Sequence, residues 1–175
     1  MRRTTLRWYA TAGLLGLAPF TAVWAASPAA AATVDVQATI AGGTLSITSA
    51  GATGDEITVS GPVTSADGSW LTVESRKGIG SPQGGCKVTD ARHVKCGTNA
   101  SSRVVVSSGD GDDRVTVETT ILTVVHGGEG ADGLFDGAGS NELWGDGGPD
   151  SLHGGAGDDR LSGGDGGSAA PATTI

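Results

Sequence analysis

After residue 33 the chain alternates apolar and polar positions with a period of two. β-Branched residues dominate the apolar positions, and Gly, Asp, Ser and Pro separate the runs. This pattern predicts strands at Val34–Ile40, Thr44–Thr48, Glu56–Ser60, Trp70–Glu74, Arg103–Ser107, Arg114–Glu118 and Ile121–His126. Cys86–Thr89 and His93–Cys96 read as the two arms of a hairpin turning at Asp90-Ala91-Arg92. No stretch of useful length carries the 3.6-residue period of a helix, so the expected fold class is all-β.

Beyond Gly127 the pattern changes to a single leucine every nine residues. Four blocks are in register: Gly127–Phe135, Asp136–Trp144, Gly145–His153 and Gly154–Ser162, with a broken fifth from Gly163 to Ser168. The fourth position is Gly130, Gly139, Gly148, Gly157 and Gly166. The sixth is Asp132, Asn141, Asp150 and Asp159, and it fails at Ser168. The eighth is Leu134, Leu143, Leu152 and Leu161. Glycine allows close backbone approach, so the first six positions of each block suit a tight turn. The lone leucine suits a very short strand with one face inward. A single block cannot bury its leucine, whereas stacked blocks bury a continuous ladder. Phe135 and Trp144 follow the leucine column and are expected to point outward, covering an edge. His126 and His153 are expected to be exposed at repeat edges.

Composition fits a thin, repetitive architecture. The chain has 31 glycines and only 4% aromatic residues, too few large side chains for an ordinary compact core. Residues 1–32 read as an export signal, with Arg2, Arg3 and Arg7 before a mostly apolar run from Ala10 to Ala26 and a small-residue cleavage region ending at Ala32. A cut after Ala26 is the alternative. The apolar run is short for a bilayer span, and no second long one follows, so the mature chain is expected to be soluble and extracellular with no membrane association. Loss of the three leader arginines takes the formal charge from −8 to −11. So acidic a product argues against a nucleic-acid partner, which needs clustered Lys and Arg.

Two cysteines remain, Cys86 and Cys96. In an exported chain an even count suggests a disulfide across the hairpin. The rival is a Cys/His metal site with His93, weakened because structural zinc wants four ligands.

The blocks resemble the GGxGxDxUx nonapeptide of RTX (hemolysin-type) calcium-binding proteins, where U is a large apolar residue. The resemblance covers Gly127 to Ser162, with Asp136 and Asp146 in place of Gly, Asn141 in place of Asp, and Pro149 within a turn. It implies a parallel β-roll in which two nonapeptides make one coil, so turns 18 residues apart stack on one edge and hold Ca2+ between them. On that basis Asp132 and Asp150 serve one ion and Asn141 and Asp159 another. Carbonyls of the turn glycines, Gly128, Gly130, Gly137, Gly139, Gly148, Gly155 and Gly157, complete the shells. A third, weaker site would pair the turn of Asp150 with Gly163–Ser168. Calcium takes 6–8 oxygens at flexible geometry, which carboxylates and carbonyls supply.

Ser108–Thr116 looks like a degenerate copy. Asp113 precedes Asp132 by 19 residues, one more than a coil, which makes Asp113 an extra candidate ligand and places the start of the roll near Ser108 with a one-residue bulge. Thr53–Val59 is a fainter echo. The expected organisation is therefore a signal peptide (1–32), a β-rich region with one disulfide (33–107), a calcium-binding roll (108–167, clearest over 127–162) and a disordered tail (168–175). The region 33–107 is either an irregular β-solenoid continuous with the roll or a separate β-sandwich.

Between Gly127 and Gly167 nine acids face a single base, Arg160. Compact folding without cations would stack like charges, so the segment is expected to fold on binding Ca2+, with a dissociation constant on the order of 10⁻⁴–10⁻³ M. No Gly-x-Ser-x-Gly or His-Glu-x-x-His motif occurs, and the pairs Asp112-Asp113 and Asp158-Asp159 read as turn acids, so no enzymatic activity is expected. A protein or polysaccharide partner, as for an extracellular adhesin, is the alternative role.

Overall fold

The computed structural model describes residues 36–98 and 103–165; the expected signal peptide and tail lie outside them. Among the described residues the fold is all-β, as expected. The strands are β1 (Val36–Ala41), β2 (Thr44–Ser49), β3 (Glu56–Ser65), β4 (Gly68–Ser75), β5 (Cys86–Val88), β6 (His93–Thr98), β7 (Arg103–Asp110), β8 (Arg114–Glu118), β9 (Thr123–Glu129), β10 (Gly133–Asp136), β11 (Glu142–Gly147), β12 (Ser151–His153) and β13 (Arg160–Ser162).

They form two sheets. One has the order β1-β2-β7-β9-β11-β13, the other β12-β10-β8-β3-β4-β6-β5. From β7 to β13 each successive strand joins the opposite sheet, and its neighbours in its own sheet run parallel to it. β2 and β3 enter the same two parallel ladders, against β7 and β8. The chain then departs from alternation. β4, β6 and β5 add antiparallel to the outer side of β3, and β1 adds antiparallel to β2. The strands of 36–98 therefore belong to the same sheets as the repeats.

Register converts the nonapeptide period into packing. In the first sheet Ile47, Val106, Val125, Leu143 and Leu161 stand in one row. In the second, Ile57, Val115, Leu134 and Leu152 do the same. All belong to one apolar cluster, with Leu161 at its margin. The leucine column continues upstream as Val and Ile because the earlier strands are longer and carry a second inward residue each, such as Val104 and Val117. Pairing is offset by 18 residues from β9 to β13 but by 19 between β7 and β9 and between β8 and β10. Asp136 still pairs with Val117 at 19, whereas the Thr123 N–H already meets Asn141 at 18. The extra residue of the 19-residue spacing thus lies in the turn after β8, around Ile121 and Leu122.

Cys86 and Cys96 sit directly opposite each other in the β5–β6 hairpin and are disulfide-bonded. The rival metal site with His93 therefore has no thiolates to draw on.

Candidate metal centre

The turns between the sheets lie in two columns. The first carries Asp55, Asp113, Asp132 and Asp150, each 3% exposed or less. In Asp113, Asp132 and Asp150 one carboxylate oxygen is committed to the turn before it. Asp113 Oδ1 accepts the Asp55 N–H at 2.5 Å, Asp132 Oδ1 that of Asp113 at 2.8 Å, and Asp150 Oδ1 that of Asp132 at 3.0 Å. The Oδ2 atoms of Asp113, Asp132 and Asp150 are buried with no hydrogen-bond partner. A buried carboxylate oxygen left this way carries a large desolvation cost. The second column is Thr123, Asn141 and Asp159. Asn141 Oδ1 accepts the Thr123 N–H at 2.9 Å, and Asp159 Oδ1 that of Asn141 at 3.0 Å.

Asp132 and Asp150 are thus brought together, as are Asn141 and Asp159, and Asp113 joins the first pair. Asp55 completes that column 58 residues before Asp113. Its turn was the faint echo at Thr53–Val59, but nothing in the spacing placed it over Asp113, because the β4–β6 excursion intervenes.

Glycine is required where turns touch. A Cβ on Gly148 would lie 1.7 Å from the Gly130 carbonyl oxygen, and one on Gly157 1.8 Å from that of Gly139, both at positive φ. Gly128, Gly130 and Gly155 lie equally close to carbonyls of the preceding coil, whereas Gly137 and Gly139 have more room. The same packing points carbonyl oxygens of successive turns at one another's glycines. At the first block position a Cβ on Gly127, Gly145 or Gly154 would meet Oδ2 of Asp132, Asp150 or Asp159 at 2.4, 2.2 and 2.6 Å.

Burial raises the carboxyl pKa of Asp113 to about 6, against the lowering effect of the Asp55 N–H. Burial likewise raises Asp132 to about 6; the Asp113 N–H opposes this, and the Asp113, Asp150 and Asp112 charges add to it. Asp136 is also raised to about 6, by burial first, opposed by the Gly137 N–H and reinforced by the Asp159 charge. Among the described residues a lysine or arginine pairs with the first column only at its Asp55 end, where Lys77 Nζ lies 2.8 Å from Asp55 Oδ1. The other Asp55 oxygen accepts the Ser49 hydroxyl.

Phe135 and Trp144, which follow the leucine column, are half-buried because each stacks on a histidine. Phe135 lies 4.8 Å from the His153 ring with Arg114 over its other neighbourhood at 4.3 Å. Trp144 stacks on His126 at 6.1 Å, with Arg160 5.1 Å from its ring. His126 Nδ1 also meets Asp146 Oδ2 at 3.0 Å, so the two histidines are partnered rather than idle.

Residues 135–167 match the RTX calcium-binding nonapeptide repeat, in four copies. The chain carries RTX calcium-binding nonapeptide repeats. The match begins at the last residue of the first block and runs into the broken fifth block as far as residue 167. No curated protein and no solved structure matches the chain. The donor set of the RTX turns fits calcium. Among the described residues no three His, Cys, Asp or Glu side chains converge on one point, so a bound ion must draw most of its shell from backbone carbonyls. Carbonyls with one or two carboxylates suit a hard, flexible cation and not zinc.

Proposed function

We propose that the protein is a secreted calcium-binding β-roll whose stacked turns hold Ca2+ and fold on binding it. The observation that carries the reading is the column of buried, unpartnered carboxylate oxygens on Asp113, Asp132 and Asp150. An ion between successive turns would satisfy these oxygens and cancel the repulsion along the column. The alternation of strands between two parallel ladders supports the roll, and entry of β2 and β3 into those ladders supports a solenoid continuous with residues 33–107. Asp132 with Asp150 and Asp113 with Asp132 are the proposed ligand pairs of the first column, and Asp159, beside the turn of Asn141, is the proposed carboxylate of the second. The reading assigns no reaction to the chain.

Calcium titration followed by far-ultraviolet circular dichroism, with equilibrium dialysis on the same samples, tests this. Strand signal should grow with calcium and saturate near millimolar concentrations. The Asp150→Ala, Asp159→Ala double variant should lose most bound calcium. An unchanged spectrum with no bound ion would refute the proposal.

The outward stack of Trp144 between His126 and Arg160 favours a second role, contact with a polysaccharide or protein. Calcium-dependent retention on cell-wall polysaccharide, lost in Trp144→Ala, would support it; retention equal in both proteins would not.

A further inference from the structure

The second repeat block departs from the pattern twice, with Asp136 at its first position and Asn141 at its sixth. We propose that these departures form one exchange: Asp136 is a calcium ligand that replaces the carboxylate Asn141 lacks. The inference rests on the calcium reading above. In the other three blocks a Cβ at the first position would point at the Oδ2 of the sixth-position aspartate, within 2.2–2.6 Å. A side chain at position one therefore enters the space where the free carboxylate oxygen is presented.

Asn141 cannot serve in that space as it stands. Its Oδ1 is taken by the Thr123 N–H, and the remaining atom, Nδ2, is a donor, buried without a partner. Turning the amide over would strand the Thr123 N–H instead. Asp136 supplies what is missing. Its Oδ1 accepts the Gly137 N–H at 2.8 Å, and its Oδ2 is buried with no partner. It makes no hydrogen bond with Asn141, whose Nδ2 also stands unpartnered, so the exchange is not explained by pairing of the two side chains. Asp136 with Asp159 gives the second column two carboxylates, matching Asp132 with Asp150 in the first.

Equilibrium dialysis of the full chain against calcium, with four variants, tests this. Asp136→Gly should lose one ion per chain or bind it at least tenfold more weakly, and Asp136→Asn should do the same with the side-chain shape kept. Asp136→Gly combined with Asn141→Asp should restore binding. Asp150→Asn, in the other column, should lose its own ion irrespective of these changes. Unchanged stoichiometry and affinity in Asp136→Gly, beside a loss in Asp150→Asn, would overturn the inference and leave the calcium reading standing. Failure of the wild type to bind calcium would overturn both.

A separate observation concerns the first rung. Lys77 Nζ meets Asp55 Oδ1 at 2.8 Å, the Thr53 carbonyl at 2.5 Å and the Thr53 hydroxyl at 2.6 Å. A carboxylate, a carbonyl and a hydroxyl around one cation, at the end of the aspartate column, form the donor set expected of a metal. We infer that the Lys77 ammonium is a tethered cation occupying the position that calcium takes between later turns. Lys77→Ala should bind one more calcium than wild type, and its loss of thermal stability without metal should be recovered by calcium. Adding Asp55→Asn should abolish the extra ion. An equal stability loss with and without calcium, and no added ion, would reduce Lys77 to an ordinary ion pair.

Discussion

Acid should stabilise the metal-free protein, the reverse of ordinary acid denaturation. Asp113, Asp132 and Asp136 titrate near 6 when folded, against 3.8 for an unperturbed aspartate. Between those values the folded chain binds more protons than the unfolded one, so folding stability falls as pH rises through the window. A shift of about two units is worth at most ~3 kcal/mol per group. Solvent at the turn edges screens these charges, leaving about 1 kcal/mol each and about 3 kcal/mol together. Acidification from pH 7.5 to 5 covers a little under half of that window, about 1.4 kcal/mol in all, so for a domain of this size the melting temperature should be about 5 °C higher at pH 5 than at pH 7.5. Melts should use resin-stripped protein, because chelators lose their grip on metal in acid. With calcium present the ordering reverses, since protons compete with the ion for the same oxygens. His93 has a separate window. Its hydrogen bond with Asp90 raises its pKa, so that contact stabilises below 6.5 and is lost as pH rises through the raised value. A His93→Gln variant should therefore keep the rise between pH 6 and 5. A metal-free chain that neither gains strand signal nor rises in melting temperature on acidification from pH 7.5 to 5 would refute the close packing of these carboxylates.

Two substitutions probe the turns directly. Gly148→Ala places a methyl 1.7 Å from the Gly130 carbonyl at φ 120°, so it should cost more than about 2 kcal/mol in thermal melts and weaken calcium binding at the Asp132–Asp150 turns. Asp146 occupies a glycine position at φ 68°, the left-handed region. Asp146→Gly should therefore stabilise the protein by about 0.5–1 kcal/mol, despite loss of the exposed contact with His126; a lower melting temperature would show that contact to outweigh the backbone strain.

The nine-residue register was legible because the physics repeats. Each leucine needs the one 18 residues on, so Leu134 and Leu152, or Leu143 and Leu161, had to stack, and their turns had to follow. Most strand positions were legible from alternation, and the disulfide of the β5–β6 hairpin from the even cysteine count of a chain read as exported. Asp55 and Lys77 were not. Their place in the aspartate column depends on how far β4, β5 and β6 carry the chain away before it returns, and local sequence does not encode that distance. The residue added around Ile121 and Leu122 was visible only as a spacing of 19, without a position. Asp136 read as a defect because a linear pattern compares each residue with its own column. In three dimensions the first and sixth positions of a block share one space.

The antiparallel strands that open the two sheets have a consequence for growth. β1 lies along the outer side of β2, and β4 along that of β3. Another parallel rung therefore has no place to dock there. Among the described residues the opposite end finishes in β12 and β13, three residues each. Among the described residues the two parallel ladders are therefore open to a further parallel strand only beside β12 and β13, on the side of the last nonapeptide.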